Sequence, residues 1–145
     1  MSVEAWLPIL TAILAAIGGA IVYSVQKRAD RKSDLIAKKR LAYEGYLFSY
    51  LKASTDFGTG SCETKLDLNT SRMTVLLIGS DAVIRAVAAL DKYSVQTSAE
   101  TGQQRDPRKF KALFSEVVLA MRSDVFEATG LSLDEMKAAL PISDA

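Results

Sequence analysis

The chain has no histidine and a single cysteine, Cys62, and these two scarcities exclude much familiar chemistry. One thiol cannot close an internal disulfide, which fits a reducing compartment. Ordinary zinc sites need histidine or several cysteines, and Ser-His or Cys-His nucleophiles need an imidazole base. No D-x-D or E-x-x-E cluster offers a carboxylate-only metal site. The expectation is a protein without metal, cofactor or catalytic centre. Net charge is also small, +1, so no overall excess of either sign points to a polyanionic partner.

One long uncharged stretch is present. Ala5–Val25 runs for twenty-one residues without a charge and ends in Lys27, Arg28, Arg31 and Lys32. A hydrocarbon core about 30 Å thick takes about 20 apolar residues of helix. Thr11 and Ser24 are its polar members, and each can bond a carbonyl of the preceding turn. Pro8 lies in the first turn, where a missing amide proton does least harm. Trp6 and Tyr23 stand near opposite ends, as amphipathic aromatics do at membrane–water interfaces. The stretch reads as a transmembrane anchor over residues 1–26. A buried core helix would normally show a polar face, and a signal peptide a basic start and a shorter apolar core.

The flanks orient it. Residues 27–40 hold seven basic side chains against Asp30 and Asp34, giving +5, while Glu4 precedes the run. Residues 41–145 hold eleven basic and fourteen acidic side chains, giving −3. The positive-inside rule then places the N-terminus outside and the remainder in the cytoplasm of a bacterial inner membrane. Residues 27–40 form a basic juxtamembrane helix suited to anionic lipid headgroups, each cation being worth about 1 kcal/mol near such a surface. A nucleic-acid module would carry its basic stripe on the folded domain itself, so no nucleic-acid partner is expected.

From Gln26 to Thr55 no proline interrupts the chain, so the anchor helix continues. Leu35, Ile36, Ala42, Tyr43, Tyr46, Leu47, Tyr50 and Leu51 recur at helical spacing, and the three tyrosines form a stripe that packs against later helices. Phe57–Ser61, with Gly58 and Gly60, breaks the helix. A second helix follows over Glu63–Ile78, with Leu66, Met73, Leu76 and Leu77 as expected core. Gly79 is expected in the left-handed conformation that closes it, Ser80 as the cap of the next helix, and Asp81 against its dipole. That third helix covers Ala82 to about Val95, with Val83, Ile84, Val87, Ala88 and Leu90 inward. Residues 94–106 read as an exposed loop.

Asp106-Pro107 announces a fourth helix, cap followed by proline at the first position. Phe110, Leu113, Phe114, Val117, Val118 and Met121 share one of its faces. Ser132–Glu135 has the form of a capping box before a short fifth helix that Pro141 stops, with Leu133, Met136 and Leu140 apolar. The fold class is therefore all-α: an N-terminal transmembrane helix continuing into a cytoplasmic bundle of four or five helices over residues 41–145.

Leu76–Ile84, Leu119–Asp124 and the basic segment Lys39-Arg40-Leu41-Ala42-Tyr43-Glu44 resemble a broad class of small bacterial and phage single-pass membrane proteins with a helical cytoplasmic domain. The likeness implies that architecture and a bacterial origin, and no activity. From the two longer motifs, Arg122 is expected to reach Asp81 or a carbonyl near Gly79-Ser80 and lock helices together; the alternative is a simple helix-terminal cation.

Ala12, Ala16 and Ala20 recur every fourth residue of the anchor, with Ala15 and Gly19 beside them. Small residues so spaced let helix backbones approach closely within a bilayer. The first functional reading is a membrane-anchored interaction or assembly protein, a homo-oligomer or an accessory subunit of a bacterial membrane complex. The alternative, from another class, is an oligomeric membrane-disturbing effector or pore of phage or defence type, although the span has few polar residues to line a channel.

Overall fold

The computed structural model describes residues 7–55, 62–97, 105–126 and 129–142, with the side chains of its first helix described from Thr11. Among the described residues all five elements are α-helices: α1 (Leu7–Thr55), α2 (Cys62–Ile78), α3 (Asp81–Gln96), α4 (Pro107–Val125) and α5 (Leu133–Ala139). The expected all-α class holds. The chain divides into two units, Met1–Lys38 and Lys39–Ala145.

The first unit is the opening part of α1. Residues 11–35 are exposed on every side of the helix, Ile13, Leu14, Ile17, Ile21 and Val22 among them. Among the described residues no helix is long and apolar enough to cross a membrane. The expected span over Ala5–Val25 has described side chains only from Thr11. Those fifteen residues rise roughly 22 Å at ~1.5 Å each before Gln26, Lys27 and Arg28 end the run, short of ~30 Å of hydrocarbon.

The second unit holds the core. Tyr43, Tyr46 and Tyr50 of α1 turn inward, and Tyr46 is fully buried. Tyr50 lies against Phe110 and Phe114 of α4, with ring centroids 6.2 and 5.7 Å away. Tyr46 sits 5.9 Å from Tyr50. Val83, Val87, Leu90 and Tyr93 of α3, then Phe114, Val117 and Met121 of α4, complete the apolar interior, with Met136 of α5 beneath. Fully burying an aliphatic side chain of this kind contributes about 1.5–3 kcal/mol, so the interior dominates the stability. Leu35 and Leu51, expected inward, are 48% and 44% exposed; Ala88 is exposed too. Tyr93, not anticipated as core, is buried because its hydroxyl has a partner: it accepts from the Asp106 amide at 2.8 Å and donates to the Asp106 carbonyl at 3.1 Å.

α2 departs most from expectation. Its buried residues are Thr64 and Val75, eleven apart and so on one face, while Leu66, Met73, Leu76 and Leu77 are 63, 58, 39 and 81% exposed. Its inward face is formed by Thr64, Ser71 and Val75, and the expected leucines lie outside it.

The start signals of α4 and α5 hold in detail. Asp106 accepts from the amides of Arg108 (2.9 Å) and Lys109 (3.4 Å), with Pro107 in the first turn. Ser132 and Glu135 make both bonds of the capping box. The helix breaker at 57–61 and most of the loop expected at 94–106 lie outside the described residues; α3 itself runs to Gln96.

Candidate functional site

In the first unit the expected interface residues lie along one exposed helix. Tyr23 is 62% exposed, and the Lys27 ammonium lies 3.4 Å from its hydroxyl and 5.4 Å from its ring centre. That pairing, one turn apart, marks the boundary between apolar and basic helix. Arg28, Arg31 and Lys32 follow, all exposed. Ala12, Ala15, Ala16, Gly19 and Ala20 occupy a continuous exposed strip upstream, and a methyl group added at Gly19 would meet nothing within 4 Å. Trp6 lies outside the described residues. The Ser24 hydroxyl donates to the Ile21 carbonyl at 2.9 Å.

In the second unit the structure builds a polar junction centred on Asp124, a residue that the sequence reading passed over. Asp124 stands in the last turn of α4 with a side chain 11% exposed. Lys39 of α1 donates to both of its oxygens, at 2.9 and 2.8 Å. The Tyr43 hydroxyl, one turn along α1, donates to Oδ2. The Ser80 amide, at the turn between α2 and α3, reaches the same oxygen at 3.4 Å. Two helices, α1 and α4, and the turn between α2 and α3 thus meet on one carboxylate. Burial tends to raise the pKa of Asp124, but the hydrogen bonds from Lys39 and Tyr43, together with the Lys39 charge, outweigh it and hold the carboxyl below its ordinary range. Burial, then the bond to Asp124, pushes the Tyr43 phenol far above its usual value. Tyr43 therefore serves as a fixed donor.

The expected turn residues are reassigned accordingly. Gly79 carries no left-handed backbone; a Cβ there would lie 2.7 Å from the Val75 carbonyl, 3.4 Å from Val83 Cγ1 and 3.5 Å from the Tyr43 hydroxyl. Glycine is needed for close approach and not for its conformation. Ser80 is the cap of α3 by position, but its side chain makes no capping bond; its amide serves Asp124 instead. Asp81 points to solvent and pairs loosely with Arg85 at 3.6 Å. Arg122 does not reach Asp81 or the turn. It bonds the Thr129 hydroxyl at 3.2 Å and lies 5.0 Å from the Phe126 ring, whose other neighbour is Arg40 at 5.1 Å. The two motifs do meet, through Asp124. A single part-buried carboxylate leaves no periodic signal, and Lys39, the last lysine of the basic segment and the one nearest the tyrosine stripe, is the signal that could have pointed to an acidic partner.

A second polar cluster lies deeper. Arg72 of α2 pairs with Asp91 of α3, and the Tyr46 hydroxyl is buried beside them with no hydrogen-bond partner among the described residues. Burial, then the charge of Asp91, raises the Tyr46 phenol. The Tyr50 hydroxyl is better served, sharing a 2.7 Å hydrogen bond with Ser94 Oγ. These groups brace helices; none faces a cavity together with a convergent acid–base partner.

Comparison with family models, with curated proteins and with solved structures found no match.

Proposed function

We propose that the chain is a membrane-tethered interaction or assembly protein, in which Ala5–Val25 anchors a helical module to the inner membrane of a bacterium. One observation carries the reading: α1 is apolar and exposed on all sides over residues 11–25, and then becomes basic within one turn. A helix apolar all round has no face for water and needs lipid or other helices around it. The full uncharged run of the sequence has the length that a bilayer requires. The basic segment 27–40 belongs on the cytoplasmic side, against anionic headgroups, which leaves the module of residues 41–145 in the cytoplasm. The strip through Ala12, Ala15, Ala16, Gly19 and Ala20 suits close packing with a second membrane helix, from another copy or another subunit. The ion pairs of the module, Lys39 with Asp124 and Arg72 with Asp91, each join two helices, which suits a bracing role.

Orientation is testable with single cysteines in a Cys62→Ser chain. In intact spheroplasts an impermeant maleimide is expected to label Ser2→Cys and to leave Glu116→Cys, exposed on α4, unlabelled until the membrane is opened. Labelling of Glu116→Cys in sealed spheroplasts would overturn the orientation.

A further inference from the structure

The outer face of α2 has no place in the fold just described. Leu66, Met73 and Leu77 are 63, 58 and 81% exposed, and with Thr70 they fall within about 60° of the helix circumference at ~100° per residue. Val75, fully buried, stands opposite them. The spacing 66, 70, 73, 77 alternates steps of four, three and four, the seam of a two-helix packing. It also reads the same in both directions. A two-fold axis crossing α2 between residues 71 and 72 would set Leu66 against Leu77 of another copy and Thr70 against Met73.

We infer that this face is a self-association surface, on which α2 of a second copy packs antiparallel. Three features favour that occupant. The seam is its own complement under a two-fold rotation, as an isologous interface demands. The same rotation sets Glu63, Lys65, Asp67 and Arg72 opposite Ser80, Ile78, Leu76 and Ser71, so no charge of α2 meets its like. Parallel pairing would place Lys65 on Lys65 and Asp67 on Asp67. The seam is also apolar surface without cover in the single chain, with Leu66, Met73 and Leu77 each more than half exposed, and a second copy packed there removes it from water. Phe48, 70% exposed, stands one turn before Lys52, which reaches Asp67 beside the seam at 3.7 Å, so α1 can supply more. The inference deepens the interaction reading by naming the partner as a second copy, and it does not depend on the membrane tether.

The test uses the full chain in detergent micelles, in a Cys62→Ser background. Mixed Leu66→Cys and Leu77→Cys chains are expected to form a disulfide-linked heterodimer on mild oxidation, whereas Leu66→Cys chains alone are not. A Met73→Asp substitution in the mixed pair is expected to lower the cross-linked yield at least tenfold with an unchanged helical circular dichroism spectrum. Because residue 73 is exposed, the fold tolerates the charge; Leu77→Lys serves as a second such variant. Cross-linking of Leu66→Cys alone would overturn the antiparallel arrangement. A chain that stays monomeric, or a yield indifferent to Met73→Asp, would overturn the surface itself. A chain that cross-links as expected yet washes off membranes would leave this surface standing and remove the tether.

Discussion

Asp124→Ala is expected to destabilise the helical unit by about 3 kcal/mol, because it leaves the Lys39 ammonium, the Tyr43 hydroxyl and the Ser80 amide without their shared acceptor. For a unit of this size that corresponds to a fall in melting temperature on the order of 15 °C. Thermal circular dichroism of the full chain reads it directly, and a shift below about 3 °C would show that the junction braces nothing. Asp124→Asn keeps an acceptor oxygen for Tyr43 and removes only the charge, so it should fall between the two. The pH dependence has a definite sign. The carboxyl of Asp124 is held below its ordinary range in the folded chain, so its stabilisation is complete above the unfolded value of about 3.9 and is lost as pH falls through the lower folded one. Wild type should therefore lose melting temperature more steeply than Asp124→Asn as the solution is taken below about pH 4.

The second large effect belongs to Gly79. Gly79→Ala is expected to destabilise by about 1–3 kcal/mol, since the added methyl meets the Val75 carbonyl at 2.7 Å, a backbone atom that cannot step aside alone. Tyr43 stands on the other side, so the displacement also disturbs the approach of its hydroxyl to Asp124. Gly45→Ala is the natural control: it lies in the interior of α1 with nothing within 4 Å, and alanine there should stabilise by about 0.5–1 kcal/mol. Opposite signs for the same substitution separate close packing from helix propensity. Equal and favourable shifts would mean that the turn is looser than its geometry indicates.

Helix positions were legible in the sequence because their signals are local. Asp106-Pro107 and Ser132–Glu135 name their own starts, and the caps form with the expected partners. The tyrosine stripe was legible too, since Tyr43, Tyr46 and Tyr50 repeat at a helical period. α2 was not. Its closing run Val75–Ile78 is apolar around the whole helix, so periodicity selects no face, and the choice falls to what the opposite wall can accept. Val75 is the one of the four that is fully buried. The Asp124 junction was half legible. Two motifs pointed to contact between the end of α4 and the turn after α2, but the choice between Arg122 and Asp124 depends on which way the last turn of α4 faces. Val125 and Met121 are buried on either side of that choice, and they carry Asp124 inward and leave Arg122 in solvent beside Thr129. Gly79 was misjudged for a related reason: the usual cause of a glycine after a helix is its backbone freedom, whereas here the cause is a neighbour across the turn.

Two functional surfaces emerge at separate places in the chain. The apolar opening of α1 carries the proposed tether, and the outer face of α2 carries the proposed self-association. The Asp124 junction supports the second by fixing where α2 ends and α3 begins. Exposed apolar side chains in both places need cover, and in a tethered chain lipid and a second copy supply it.

The most direct measurement is a carbonate wash of bacterial membranes containing the full chain, followed by quantification of pellet and supernatant. A chain anchored through Ala5–Val25 stays with the membrane pellet at alkaline pH, and Ile13→Lys with Ile17→Lys, which places two charges in the middle of the run, moves it to the supernatant. Release of the wild-type chain by carbonate, or retention of the doubly charged variant, would contradict the tether.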